Sequence, residues 1–282
     1  MGVTDRQTSR MVDAVQRWRI AFRRGAPALD LGPAEIARAW ESAIGAASIP
    51  VVMSAAATPR PRLTFAAPLP PGRVAEHDLA DLVLGERWPL ARLRPVLGAA
   101  LPAGFELVDL YDIWLGAPAI TASLSAMSHR AVLGGVPFDE LAGAVAGLLA
   151  APRLERSRAK SERKVIYDLR PLIVDLRVGP GTVAAVAAAP ASALAPASAP
   201  ASASGPASAS AVASGPASAS ASAPALASAP ALRMALRTSS DGPSGRPDEV
   251  ILAVGDALGR ELELVDLVRE RLWTADEVPT LG

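Results

Sequence analysis

Any chemistry in this chain of 282 residues must come from arginines, carboxylates and two histidines, because it contains no cysteine. That absence excludes disulfides, thiolate zinc sites and cysteine-ligated iron–sulfur clusters. His77 lies in Glu76-His77-Asp78, where a flanking carboxylate could raise its pKa or orient it as a base, but the stretch is polar and reads as a solvated turn. His129 follows Ser128 on a predicted strand with no identifiable partner, and reads as a structural or surface histidine. Neither has the spacing of a metal pair such as His-x-x-x-His. Asp248-Glu249 and Asp276-Glu277 could bind Mg²⁺ or act as acid and base, yet the first is better explained as charge at a helix N-terminus and the second as part of a solvated acidic tail, 274–282. There is no G-x-x-x-x-G-K-[ST], no G-x-G-x-x-G after a strand and no G-x-S-x-G. These residues therefore predict no catalytic group, no metal and no cofactor.

Arginine is the remaining signal. Basic and acidic residues balance at 28 each, so no global field announces a polyanion, but only Lys160 and Lys164 among the basic residues are lysine. Guanidinium is the better bidentate ligand for phosphate, although codon composition also explains such a bias. Arg17, Arg19 and Arg23 fall on one face of the first predicted strand, and Arg60 and Arg62 bracket a proline-rich loop. Arg153, Arg156, Arg158, Lys160, Arg163, Lys164 and Arg170 gather against only Glu155, Glu162 and Asp168, whereas the chain from Arg246 onward is mainly acidic. Such asymmetry suits an anionic ligand or an intramolecular match between the two halves. The candidate anion or RNA contacts are Arg60, Arg62, Arg158, Lys160, Arg163, Lys164, Arg170 and Arg246.

The elements that must position these residues alternate strands and helices. Trp18, Ile20 and Phe22 alternate with arginines, the period of a half-buried strand. Gly32-Pro33 opens a helix with Ile36, Trp40, Ala43, Ile44 and Ala47 on one face. Short strands follow at 51–54, 62–67 and 78–84, then a helix within 89–101 that Pro95 would break or kink, then a strand at 105–115. The second half repeats the plan. A strand at 127–133 leads to a helix opened by Pro137 with Phe138, Leu141, Val145, Leu148 and Leu149 inward. Strand-like pieces at 152–157, 163–169 and 172–178 precede a strand at 232–237, a helix opened by Pro247 with Gly255 at its exit, and a last strand at 261–272. Glu106-Leu107-Val108-Asp109-Leu110 is echoed by Glu263-Leu264-Val265-Asp266-Leu267 in the final strand of each half.

Between these pieces, 183–231 is a tract of Ala, Ser, Pro and Gly in which small side chains bury too little to offset chain entropy, and prolines block helix. It reads as a disordered insertion, and without it about 230 residues remain, enough for one large or two small domains. The expectation is an α+β protein of two tandem ferredoxin-like, or split β-α-β, halves with antiparallel sheets and helices on one face: 14–118, and 124–273 interrupted by the insertion. Trp18, Phe22 and Phe65 then face the helices rather than nucleobases, which disfavours stacking on an open sheet and leaves RNA contacts to arginine and the phosphate backbone.

Several stretches together resemble a known family: 18–22, 34–47, 59–70, Asp168-Leu169-Arg170-Pro171-Leu172 and Gly245-Arg246-Pro247-Asp248-Glu249. They are similar to the radical-SAM-linked protein family, a bacterial domain of unknown function encoded beside or fused to a radical-SAM protein. The likeness spans nearly the whole chain outside the tract and termini. Where relatives tend to carry a Ser-His-Leu-Asp-like helix opening and an Asn-Pro-His-Pro loop, this chain has Leu31-Gly32-Pro33-Ala34-Glu35 and Thr58-Pro59-Arg60-Pro61, so those family histidines have no counterpart here.

The resemblance implies an accessory protein that partners a radical-SAM enzyme. The chain cannot be that enzyme, which needs three cysteines for its cluster. The expected function is a non-catalytic accessory role, with a radical-SAM protein and RNA as partners. The alternative is a cofactor-independent RNA-processing enzyme, by fold analogy with tandem ferredoxin-like CRISPR-RNA endoribonucleases. A third reading is a degenerate relative kept only for assembly. A polar segment 1–10 and the lack of a long apolar run predict a cytoplasmic protein without membrane spans.

Overall fold

The computed structural model describes residues 13–160, 163–181, 229–238 and 243–277, with the backbone alone at 158–160 and 163–164. The expected disordered tract lies outside the described residues, except that Ala229 is described and Pro230 and Ala231 open a strand.

Alternation in β1 (Gln16–Arg24) turns Trp18, Ile20 and Phe22 to a helix-covered face. Packed on them is α1 (Pro33–Ala46), whose Ile36, Trp40 and Ile44 recur every fourth residue and are all buried. Pro33 occupies the first turn, and the Glu35 carboxylate accepts the Gly32 N–H at 2.7 Å. Trp40 meets Phe22 and Phe65 edge-on at centroid distances of 4.9 and 5.3 Å, so aromatic packing seals this core.

Next come β2 (Leu63–Phe65), β3 (Val74–Leu84), α2 (Leu90–Ala100) and β4 (Phe105–Ile113). The strand expected at 51–54 is reduced to isolated bridges, Val51 to Leu84 and Met53 to Pro61. In contrast, β3 begins earlier than its apolar run, and His77 stands on a half-buried strand rather than in a solvated turn. α2 runs straight through Pro95. That ring and the carbonyl-bearing Ala91 one turn earlier are both solvent-exposed, so water can take the hydrogen bond proline forfeits, while Leu93 and Leu97 anchor the helix.

The second half comprises α3 (Ile120–Ser123), β5 (Leu124–Gly134), α4 (Phe138–Ala150), β6 (Glu155–Lys160), β7 (Arg163–Asp168), β8 (Ile173–Pro180), β9 (Pro230–Arg237), α5 (Pro247–Leu258) and β10 (Glu263–Thr274). Leu141, Val145 and Leu148 of α4 are inward as expected, but Phe138 is 49% exposed because it belongs to the first turn, beyond the core. α5 exits at Gly259, in the left-handed region at φ 66°, and not at Gly255. Gly255 is buried in the helix, where a Cβ would sit 2.8 Å from the Arg260 carbonyl oxygen.

The result is a mixed α+β architecture built on one mainly antiparallel sheet, in the order β4-β1-β3-β10-β5-β9-β8, with β2 also paired to β3. β6 and β7 form a separate two-stranded ribbon. The separate sheets expected from the sequence are joined by a parallel contact, Val74 to Val268 and Ala75 to Arg269. β2 pairs the same edge of β3 further along, at Ala80 to Leu82. The helical face carries two cores, one around Trp40, Leu82 and Leu97 and one around Leu133, Leu141 and Val254. The echoed pentapeptides occupy matching places, Leu110 opposite Ile20 and Leu267 opposite Ala131. Among the described residues, no helix is long and apolar enough to cross a membrane.

Candidate functional site

Where the two helical layers part above the β3–β10 junction, the surface opens into a cleft of about 700 Å³. One wall is the 67–73 loop between β2 and β3, the other the 244–248 turn into α5, and the floor is supplied by His129 of β5 and by Leu267 and Arg269 of β10.

Two buried arginines hold the first wall. Arg24, 0% exposed at the end of β1, donates to the carbonyls of Ala28, Leu29, Leu31, Leu69 and Pro70, at 2.7 to 3.4 Å. Burial lowers its pKa, an effect the nearby Asp78 carboxylate opposes. Arg269 makes a bidentate pair with Asp78 in which both side chains are almost fully enclosed, and it also donates to Pro68 O and Ala67 O. Losing either partner would strand a buried charge. The second wall depends on close approach: a Cβ at Gly245 would stand 3.0 Å from Leu236 Cβ and 3.3 Å from Leu172 O.

Around the rim, Arg73 lies 3.9 Å from the Asp248 carboxylate, and Arg246 is exposed with no ion pair among the described residues. The His129 ring is 9% exposed and its Nδ1 is enclosed without a hydrogen-bond partner. Burial first, then the Arg269 and Arg73 charges, push its pKa down to about 4, so it is a neutral imidazole at pH 7. The cleft thus combines apolar proline and leucine walls with one unbalanced cation and one uncharged donor–acceptor ring.

The arginines singled out by sequence do not form one patch. Arg246 alone among them lines the cleft. Arg62 borders a groove on the opposite sheet face with Arg17 and Asp81, and exposed Arg60 lies 3.8 Å from Glu41. Arg17 and Arg19 share the Asp81 carboxylate, so the charge of the first strand's arginine face is partly offset within the protein. Arg170 is a brace, donating to Leu149 O, while Asp168 accepts the Leu154 and Arg170 N–H groups at 2.8 and 3.0 Å. Those backbone donors lower the Asp168 pKa. Arg158, Lys160, Arg163 and Lys164 lie on the β6–β7 ribbon, Lys160 opposite Arg163 in register. Among the described residues, no group of His, Asp or Glu is placed to hold a metal ion.

Arg73, His129 and Arg269 were not legible as site residues, since they converge from the 67–73 loop, β5 and β10, which are distant in sequence. A signal did exist: the end of stretch 59–70, Leu172 of Asp168–Leu172 and Gly245–Asp248, all within stretches flagged by resemblance, meet at or directly behind this cleft.

Among curated proteins, no match to the sequence was found. A solved structure described as "Crystal Structure of a Cbf5-Nop10-Gar1 Complex" aligns at 10% identity and a TM-score of 0.44, over 92% of this chain and 51% of that one, so the chain spans about half the length of that neighbour. A family model, described as "Uncharacterized protein conserved in bacteria (DUF2344)", matches residues 17–196, from β1 past the end of β8. The chain belongs to this DUF2344 family.

Proposed function

We propose that the protein is a non-catalytic accessory factor, acting in the cytoplasm, that binds RNA and serves a radical-SAM partner enzyme. The observation that carries the RNA reading is the cleft, lined by the unbalanced Arg246 guanidinium and a neutral buried histidine between apolar walls. The β6–β7 ribbon, with basic residues on both strands, supplies a second stretch for phosphate contact. The radical-SAM link rests on the sequence resemblance, and the lack of cysteine requires that any cluster reside on the partner.

We also infer that each half is a split β-α-β unit. The first half runs β4-β1-β3 with β2 beside β3, the second β10-β5-β9-β8, and both have last, first, third and second strand in the same order. The matching register of the two echoed pentapeptides supports this duplication.

The test is retention of structured RNA by the purified chain across a salt series. Retention that weakens steeply with salt is expected, with the RNA recovered intact. Indifference to salt would remove the RNA role, and cleavage by the purified chain would replace the accessory reading with an RNA-processing enzyme. Failure of a neighbouring radical-SAM protein to co-elute with the chain would remove the partner.

A further inference from the structure

Resting on that RNA-binding reading, we propose that the cleft receives one unstacked nucleotide of a single-stranded RNA, with its phosphodiester on Arg246 and its base against the proline-lined wall above His129. Four features point to this ligand.

Size comes first. About 700 Å³ lies within the range of roughly 300–1,000 Å³ typical of small-ligand pockets, which admits a nucleotide and excludes a helix. Charge comes second. Arg269 is committed to Asp78 and Arg73 faces Asp248, which leaves one net cation, Arg246. A phosphodiester carries a single negative charge and matches that balance. A nucleoside triphosphate would bring several charges against an unneutralised excess of one and would meet the Asp248 carboxylate. That carboxylate can instead accept a hydrogen bond from a sugar hydroxyl.

His129 is the third feature. The ring lines the cleft, and its Nδ1 is enclosed on the protein side without a hydrogen-bond partner. The ring is neutral at pH 7, which suits a base edge better than a phosphate. The fourth is the wall itself. Pro68, Leu69, Pro70 and Pro71, fixed by the Arg24 and Arg269 clamps, give a preformed apolar surface for a base without requiring an aromatic platform.

The chain's two histidines make the experiment clean, because the imidazole NMR spectrum of the full chain contains only His77 and His129. A short single-stranded oligouridylate is titrated into the unaltered chain and into Arg246→Ala and His129→Ala, with thermal unfolding as the fold control. The His129 signals are expected to move while those of His77 stay. Affinity should fall about tenfold in each variant, and Arg246→Ala should reduce the salt slope by about one ion. A complementary duplex of the same length should bind at least about tenfold more weakly, since it offers no unstacked base.

Unmoved His129 signals together with unchanged affinity and salt slope in Arg246→Ala would overturn the cleft assignment and leave RNA binding elsewhere on the protein intact. Displacement of the oligonucleotide by a nucleoside triphosphate at equal or lower concentration would overturn the single-phosphodiester assignment. No retention of any RNA by the unaltered chain would remove the broader reading as well. Arg246 is exposed, so its variant keeps the test decisive even where His129→Ala fails to fold.

Discussion

Trp18 of β1 and His129 of β5 stand at corresponding register positions opposite the two echoed strands, β4 and β10. Each lies two residues before the pair that aligns the echoed strands, so Trp18 opposes Asp112 and His129 opposes Arg269. Both rings leave a nitrogen without a partner. In the first half the large indole is 3% exposed and packed into a core that α1 and α2 close. In the second half a smaller imidazole leaves the space above it open, and arginine at the opposing position clamps a neighbouring loop instead of facing solvent. The same framework is therefore filled on one side and emptied on the other, and the emptied side is where a ligand can reach the sheet.

That contrast can be broken at several points. The largest effects should come from the groups that hold each side shut. Arg269→Met leaves Asp78 buried and unpaired, and should cost about 3–5 kcal/mol in chemical denaturation, most of it recovered when Asp78→Asn is added. Trp18→Ala should cost a similar ~3–5 kcal/mol by opening a cavity in a closed core. His129→Ala should cost only about 1 kcal/mol, because the space beside it is already open. Equal losses at Trp18 and His129 would abolish the distinction between a filled and an emptied half.

Acid sharpens the comparison further. His129 has a folded-state pKa of about 4 against an ordinary 6.5, so unfolding takes up a proton between those values. Its contribution is complete above pH 6.5 and is lost as pH falls toward 4, by an amount on the order of 3 kcal/mol. His77, also lowered chiefly by burial, acts in the same direction. Urea denaturation across this window should show a slope that His129→Gln flattens; an unchanged slope would mean that the ring is solvated. The smallest effect belongs to the exposed Arg23–Glu106 pair on β1 and β4, where Arg23→Ala should change stability by no more than about 0.5 kcal/mol.

Local order was legible wherever one face of one element decides it. The alternation of Trp18, Ile20 and Phe22, the fourfold spacing of Ile36, Trp40 and Ile44, and the prolines opening α1, α4 and α5 all carry their structure in a few adjacent residues. What failed depended on distant partners. The polar start of β3 looks like a turn until Arg269, 191 positions away, takes up Asp78. Pro95 looks like a break until its exposed side of α2 is known. The site suffered most, since a buried clamp, a rim arginine and a surface arginine are written with the same letter. Arg24, Arg246 and Arg60 differ only in what the fold brings to them.

The narrow parallel seam of Val74 and Ala75 with Val268 and Arg269 sets a timetable for biosynthesis. As the polypeptide leaves the ribosome, β1 to β4 can assemble early, yet the start of β3 keeps an unsatisfied edge until β10, the final strand described, emerges. A product terminated before Glu263 would carry that edge uncovered and would lack Leu267 and Arg269 beneath its loops, so the floor of the cleft is complete only once β10 has been made.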